Sequence, residues 1–255
     1  MDLRGAVALV TGASRGVGRA LAVALADAGA DVACAARATD ASPLKLPGTV
    51  DETVREVVRR GRRGLALGVD LSRPDQVEAM GERTIAHVGR VDVLVNNAAI
   101  TFPGDLELPM KRWDLVMEVN LRAPLLAMRA AARDMIARRS GKILNVSSAA
   151  AVIPIDDLLV YGVSKAGLER LTTGAAAALA RHGIAVNCFR IDVPIASEGF
   201  VHNAPELDTS AWEPTAVGAE GALWMLAQPV EYTGRVESIT DLRRAHGIPR
   251  SRVAR

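Results

Sequence analysis

Short apolar runs recur along the chain, and longer amphipathic stretches separate them. Residues 6–10, 31–36, 65–69, 91–95, 143–147 and 184–189 are apolar on both faces, the pattern of strands buried within a sheet. A shorter run at 235–239 predicts one more strand. Helical spacing follows the first run to about residue 28 and occupies 49–60, 74–87, 111–138, the segment carrying Tyr161 to about 181, and 214–226. Pro124 predicts a kink inside the 111–138 helix. Thr49 is placed to cap its helix, with Asp51 and Glu52 in the first turn, and Ser72 is the expected cap of the 74–87 helix. Strands alternating with helices predict an α/β fold: a doubly wound parallel sheet with helices on both faces and right-handed crossovers. Ligands of such sheets bind beyond the carboxyl ends of the strands.

A chain of 255 residues, 49% hydrophobic, can build one sizeable core, and it is read as a single domain over 1–255 with a basic, mobile tail at 245–255. The net charge of +2 is scattered. The cluster Arg59, Arg60, Arg62, Arg63 reads as a solvated helix end, which argues against a nucleic-acid partner. Cys34 and Cys188 lie in apolar runs without a Cys-x-x-Cys motif and read as core residues of a reducing compartment. No apolar run is long enough to span a membrane, and Met1-Asp2-Leu3-Arg4 leads straight into the first strand without a signal pattern. The expected location is cytoplasmic, with no membrane partner. The four histidines have no metal-ligand spacing, so no metal is expected.

Chemistry concentrates at the strand ends. Thr11-Gly12-Ala13-Ser14-Arg15-Gly16-Val17-Gly18 joins the first strand to a helix, the context in which glycines let a backbone approach a pyrophosphate at a helix N-terminus. Its spacing is Gly-x-x-x-Gly-x-Gly. The second strand ends at Arg37 with no carboxylate to meet a ribose 2′-hydroxyl. Arg37 and Arg15 suit a 2′-phosphate instead, although a solvated Arg37 is the simpler alternative. Asp70, Asn96, Ser148 and Arg190 fall at the ends of later strands. Tyr161 and Lys165 stand four apart on one helix face, where an ammonium would favour the phenolate and lower the phenol's pKa.

Thr11-Gly12-x-x-x-Gly16-x-Gly18, Asp70, Asn96-Asn97-Ala98-Ala99, Asn120, Ser148 and Tyr161-x-x-x-Lys165, in this order, resemble the classical short-chain dehydrogenase/reductases over nearly the whole chain. The resemblance implies a Rossmann fold with a seven-stranded sheet and a nicotinamide cofactor. Tyr161 would be the general acid/base, Ser148 would polarise the substrate carbonyl, Lys165 would bind the nicotinamide ribose and tune Tyr161, and Asn120 would hold a water. Gly12, Ser14, Arg15, Gly16, Val17, Gly18, Arg37, Asp70, Leu71, Asn97, Ala98, Val193 and Ser197 would complete the cofactor contacts, with Asp70 at the adenine. The 43–49 loop and Tyr232-Thr233-Gly234-Arg235 look like the hydroxysteroid dehydrogenase-like subgroup.

Two positions depart from the family. Ala99 replaces the last glycine of Asn-Asn-Ala-Gly, and Ile191-Asp192 replaces Pro-Gly after the sixth strand. That second change leaves Ser197 in place of a Thr and places Asp192 where it could meet the carboxamide. The resulting expectation is an oxidoreductase using NADP(H), with NAD the alternative, on a small carbonyl or alcohol substrate, assembled as a homotetramer or homodimer. A cofactor-binding protein without turnover and a same-fold epimerase or dehydratase are the competing readings. Residues 153–159, Phe200, Val201 and Trp212 suggest an apolar substrate pocket, and the 190–212 loop, a lid.

Overall fold

A computed structural model describes residues 3–203 and 206–253. The readings that included Met1, Asp2, Pro205 and the last two residues of the tail lie outside them. Among the described residues, seven strands form one parallel sheet in the order β3-β2-β1-β4-β5-β6-β7. They are β1 (Val7–Thr11), β2 (Asp31–Ala36), β3 (Gly64–Gly68), β4 (Val93–Asn96), β5 (Gly141–Ser148), β6 (Ile184–Ile191) and β7 (Val236–Ser238). The order reverses between β1 and β4, so the glycine loop after β1 opens at the switch point where doubly wound sheets bind ligands.

Side-chain alternation along the strands builds two cores. Ala8 and Val10 of β1, Val32 and Cys34 of β2, Val93 and Val95 of β4, and Leu144 and Val146 of β5 face one layer. That layer holds α1 (Gly16–Asp27), α2 (Val50–Arg59), α8 (Thr215–Ala227) and α9 (Ile239–His246). Leu9, Ala33, Leu94, Ile143 and Val186 face the other, packed by α3 (Pro74–Val88), α5 (Ala123–Arg138) and α6 (Leu159–Leu179). Cys34 and Cys188 are buried, as expected, and burial pushes both thiols up to about 12.

The local signals resolve unevenly. Thr49 caps α2 by accepting from the Glu52 amide. Ser72 does not cap α3: its amide and hydroxyl both donate to Asp70 Oδ1, and the cap position falls to Arg73, which makes no side-chain cap bond. The helix expected over 111–138 is α4 (Met110–Met117) continued into α5 by a π-helical turn over Glu118–Arg122 that ends two residues before Pro124. Arg60 and Arg63 pair with Asp27 and Asp31 and stitch the helix end to its neighbours. The expected mobile tail is docked through residue 253. Glu213, 4% exposed, accepts from Arg243, the Ser251 hydroxyl and the Arg252 amide. Residues 239–246 form α9 behind a Ser238/Asp241 capping box, where the sequence reading assigned 239 to the last strand and 245 and 246 to the tail and left 240–244 unassigned.

Candidate active site

The glycine loop is held by its neighbours before any ligand is considered. Gly12 and Ala13 amides donate to Ala35 O at the end of β2, and Thr53 of α2 donates to Ala13 O at 2.7 Å. Asn97 Nδ2 donates to Thr11 O at 2.9 Å, while the Asn97 and Ala98 amides converge on the Thr11 hydroxyl. Only glycine fits at two points. Gly12 has φ +68°, and a Cβ there would lie 2.8 Å from Ala98 Cα. A Cβ on Gly18 would lie 2.3 Å from Gly12 O. The loop and the start of α1 are thus welded to the β4 turn, with the first amides of α1 directed to the site.

Arg15 is engaged by the chain itself. Its guanidinium donates to the carbonyls of Leu46, Pro47 and Gly48, closing the long loop after β2 onto the glycine loop. Burial lowers its pKa, the Glu198 carboxylate opposes this, and nearby Arg37 adds to the lowering. Arg37 itself is exposed at the end of β2. Asp40, the first carboxylate beyond that strand, accepts from Arg55 and Thr49 and is held low by them. Asp70 stands at the end of the β3 segment with one carboxylate oxygen on Ser72, and Leu71 packs into the second core.

Ser148 ends β5, and Tyr161 and Lys165 lie in the first two turns of α6. Lys165, 2% exposed, donates from Nζ to Val146 O at 2.8 Å and sits 5.6 Å from the centre of the Tyr161 ring. Burial lowers the Lys165 pKa to about 8, against the opposing influence of Cys188 and Glu169. The Tyr161 phenol departs from expectation. Burial raises its pKa, and the hydrogen bond with Ser148 only partly offsets this. The ammonium is turned to the Val146 carbonyl, so in this state the phenol is held protonated rather than activated as a phenolate.

Asn120, in the π-helical turn, is buried and fully bonded. Its Oδ1 accepts from the Ile100 amide, and its Nδ2 donates to Ile100 O and to Ser164 Oγ, which donates in turn to Tyr161 O. It therefore ties the β4 turn to the helix bearing Tyr161. Arg190 does not join the strand-end cluster. It pairs with Glu169 of α6 at 2.6 and 2.8 Å, and Ser147 donates to the same carboxylate. A lone Glu on the Lys165 face of a helix gave no sign of this clamp in the sequence.

Beyond β6, Val193 packs into the first core, and Asp192 accepts from the Thr240 amide at 3.1 Å. The Asp192 carboxylate thus serves the N-terminus of α9. The 190–212 segment contains a helix, α7 (Glu198–Asn203), whose Phe200 meets Trp212 edge to face at 4.9 Å between centroids. Ser197 accepts from the Phe200 amide. Glu198, which the sequence reading passed over, accepts from the Gly16 amide at 2.8 Å. Its residue type at the start of an anticipated lid was the available signal.

A glycine-rich turn at the switch point of a parallel seven-stranded sheet, opposite a Ser-Tyr-Lys set, defines a Rossmann-type dinucleotide-binding architecture. The chain belongs to the short-chain dehydrogenase/reductase family: the family model for short chain dehydrogenase matches residues 6–193. It is 31% identical over 249 residues to hydroxysteroid dehydrogenase-like protein 2 of Danio rerio, covering 96% of this chain and 60% of that protein. It is 36% identical over 185 residues to the 3-oxoacyl-(acyl-carrier-protein) reductase FabG of Staphylococcus aureus strain N315, covering 71% of each. A metagenomic short-chain oxidoreductase in complex with NADP superposes with a TM-score of 0.77 at 33% identity, covering 92% of this chain and 96% of that one. The chain thus spans about 60% of the length of the hydroxysteroid dehydrogenase-like relative. Among the described residues no helix is long and apolar enough to cross a membrane.

Proposed function

We propose that the protein is an NADP(H)-dependent oxidoreductase that exchanges hydride with a small carbonyl or alcohol substrate. The observation that carries this is the Ser148–Tyr161–Lys165 set facing a glycine turn whose Gly12 and Gly18 admit no side chain. The residues fit the cofactor, because the first α1 amide already takes an anionic oxygen from Glu198. NADP(H) over NAD(H) is supported by exposed Arg37, by Asp40 being committed to Arg55, and by the NADP-bound relative. With Arg15 engaged by the 46–48 carbonyls, Arg37 carries most of the 2′-phosphate contact. Gly12, Ser14, Gly16, Val17 and Gly18 would cradle the pyrophosphate. Asp70, Leu71, Asn97 and Ala98 would border the adenosine, and Val193 and Ser197 the nicotinamide end.

Hydride exchange is what the nicotinamide supplies when bound. Ser148 would donate to the substrate carbonyl oxygen, and Tyr161 would deliver the proton as that oxygen gains charge. Lys165 would hold the ribose, and Asn120 would fix the helix that presents both. The raised Tyr161 pKa keeps the phenol protonated at neutral pH, which suits carbonyl reduction, while alcohol oxidation needs the phenolate and therefore more alkaline solution. A groove on α4, α5 and α6 bearing Met117, Leu121, Leu125 and Leu171 supports a homodimer or homotetramer. Light scattering at micromolar concentration checks it.

The test is NADPH and NADH titration with turnover on an aldehyde and ketone panel, for the parent and Tyr161→Phe. The parent is expected to bind NADPH more tightly. The variant keeps that affinity and loses about 10²–10⁴-fold in turnover. Turnover within a few-fold of the parent would overturn the assignment of Tyr161.

A further inference from the structure

Gly16 opens α1, a twelve-residue helix whose first amides have no intrahelical acceptor. Those amides, with the helix dipole behind them, attract an anion, and a pyrophosphate is the anion expected under the cofactor reading. In this structure Glu198 is that anion. Its Oε2 lies 2.8 Å from the Gly16 nitrogen, brought there by a segment 182 residues further along the chain. Packing is close around the contact. A Cβ built on Gly16 would lie 3.4 Å from Ser197 Cβ and 3.8 Å from the Glu198 carboxylate. The Gly16 amide is taken by the Glu198 carboxylate, so a phosphate oxygen can reach that amide only when Glu198 leaves it. The residue is otherwise exposed, so nothing in the core requires its carboxylate to point there.

We propose that Glu198 is a surrogate for the cofactor's pyrophosphate: it latches α7 onto the glycine loop in the free protein and is displaced when the cofactor binds. The inference rests on the nicotinamide-cofactor reading and adds an order of events to it. The latched segment carries Phe200, paired with Trp212. Under the cofactor reading this segment borders the nicotinamide end, so arrival of the cofactor would release a wall of the substrate site. Substrate then enters second. The latch also lowers apparent cofactor affinity, since the binding-competent state is only the unlatched fraction of the protein.

The experiment titrates NADPH, and separately adenosine 2′-phosphate, against the parent, Glu198→Ala, Glu198→Gln and Glu206→Gln by fluorescence and calorimetry. A charge-assisted bond at a partly solvated site is worth enough to shift affinity by about three- to ten-fold. Glu198→Ala should therefore tighten NADPH by that factor, with Glu198→Gln in between and most of the gain in the association rate. Adenosine 2′-phosphate has no pyrophosphate and should bind all four proteins alike. Unchanged or weaker NADPH binding in Glu198→Ala would overturn the latch, as would an equal gain in Glu206→Gln, which removes the same charge elsewhere in the segment. Absence of any NADPH or NADH binding in parent and variants alike would overturn the cofactor reading itself, and with it the surrogate role. That failure is distinct, because the parent would give no titration at all.

Discussion

Lys165 is the buried charge that the fold accommodates least easily, and replacing it with Met measures the cost. Its ammonium is 2% exposed and makes one hydrogen bond, to Val146 O. Burial lowers its pKa from 10.5 to about 8. The difference of 2.5 units, at about 1.36 kcal/mol per unit, is a penalty of about 3 kcal/mol at neutral pH. The sign follows from proton counting. Between pH 8 and 10.5 the unfolded chain holds more protons at this lysine than the folded one, so stability rises with pH across that window. From pH 7 to pH 9 the gain is about 1 kcal/mol. Lys165→Met keeps the length of the chain, removes the titration and forfeits a hydrogen bond worth about 1 kcal/mol. The variant should therefore be more stable than the parent at pH 7 by about 2 kcal/mol, and the two should converge as pH rises. Urea unfolding of both proteins, without cofactor, at pH 7, 8 and 9 reads the difference. Parallel curves over that range would refute the reasoning. A destabilising ammonium retained at this position is the kind of compromise expected where a residue serves a ligand rather than the fold.

Glu213 behaves in the opposite sense. Burial acts to raise its pKa, but the bonds from Ser251 and Arg252 and the pairing with Arg243 hold it lower overall, so its contribution is present above pH 4.5 and lost as pH falls through the folded value. Glu213→Gln should cost about 3 kcal/mol in urea at pH 7, and the cost should shrink as pH falls below 4.5; a loss that does not shrink on acidification would contradict the tie. Asp192→Ala should cost about 1 kcal/mol through loss of the α9 contact, with NADPH affinity within two-fold of the parent in the same titrations used for Tyr161.

The sheet and most helices were legible because their signals are periodic and local. Doubly buried strands read as short apolar runs, and Thr49 followed by Asp51 and Glu52 is a complete start signal. The site positions were legible in sequence order because each follows a strand. What the chain's own side chains do to one another there was not. Ser72 looked like a cap, but Asp70, two residues earlier, takes both its donors. Arg15 and Arg190 looked like ligand groups because an arginine in sequence shows its charge and not its partner. One is claimed by three carbonyls of the 46–48 loop and the other by Glu169. The pairing of Tyr161 with Lys165 was legible in its spacing, while burial shifts the phenol's pKa upward in this structure, opposite to the direction the spacing suggests. Helix geometry brings the residues together, but burial and the Val146 carbonyl decide where the ammonium points. Helix α9 was missed because it is short, and only its capping box marks its start.

Asp192 and Glu198 sit six residues apart in the segment that departs most from the family pattern, and both carboxylates accept a helix-terminal amide. The chemistry is the same and the consequences differ. At α9 the Ser238/Asp241 box already satisfies two donors, and Asp192 adds a third bond at an end that packs into the first core. The contact ties the chain after β6 to α9, where Pro-Gly would otherwise shape the backbone. At α1 the amide lies at the switch point of the sheet, open to the site, and a diphosphate offers more charge and more oxygens than one carboxylate. The tie there is conditional. Between Asp192 and Glu198, Ile195 packs into the first core beside Gly218 of α8, and the backbone at 194–196 is bonded to Glu213, so α7 and not the stretch before it is the part the Glu198 contact holds.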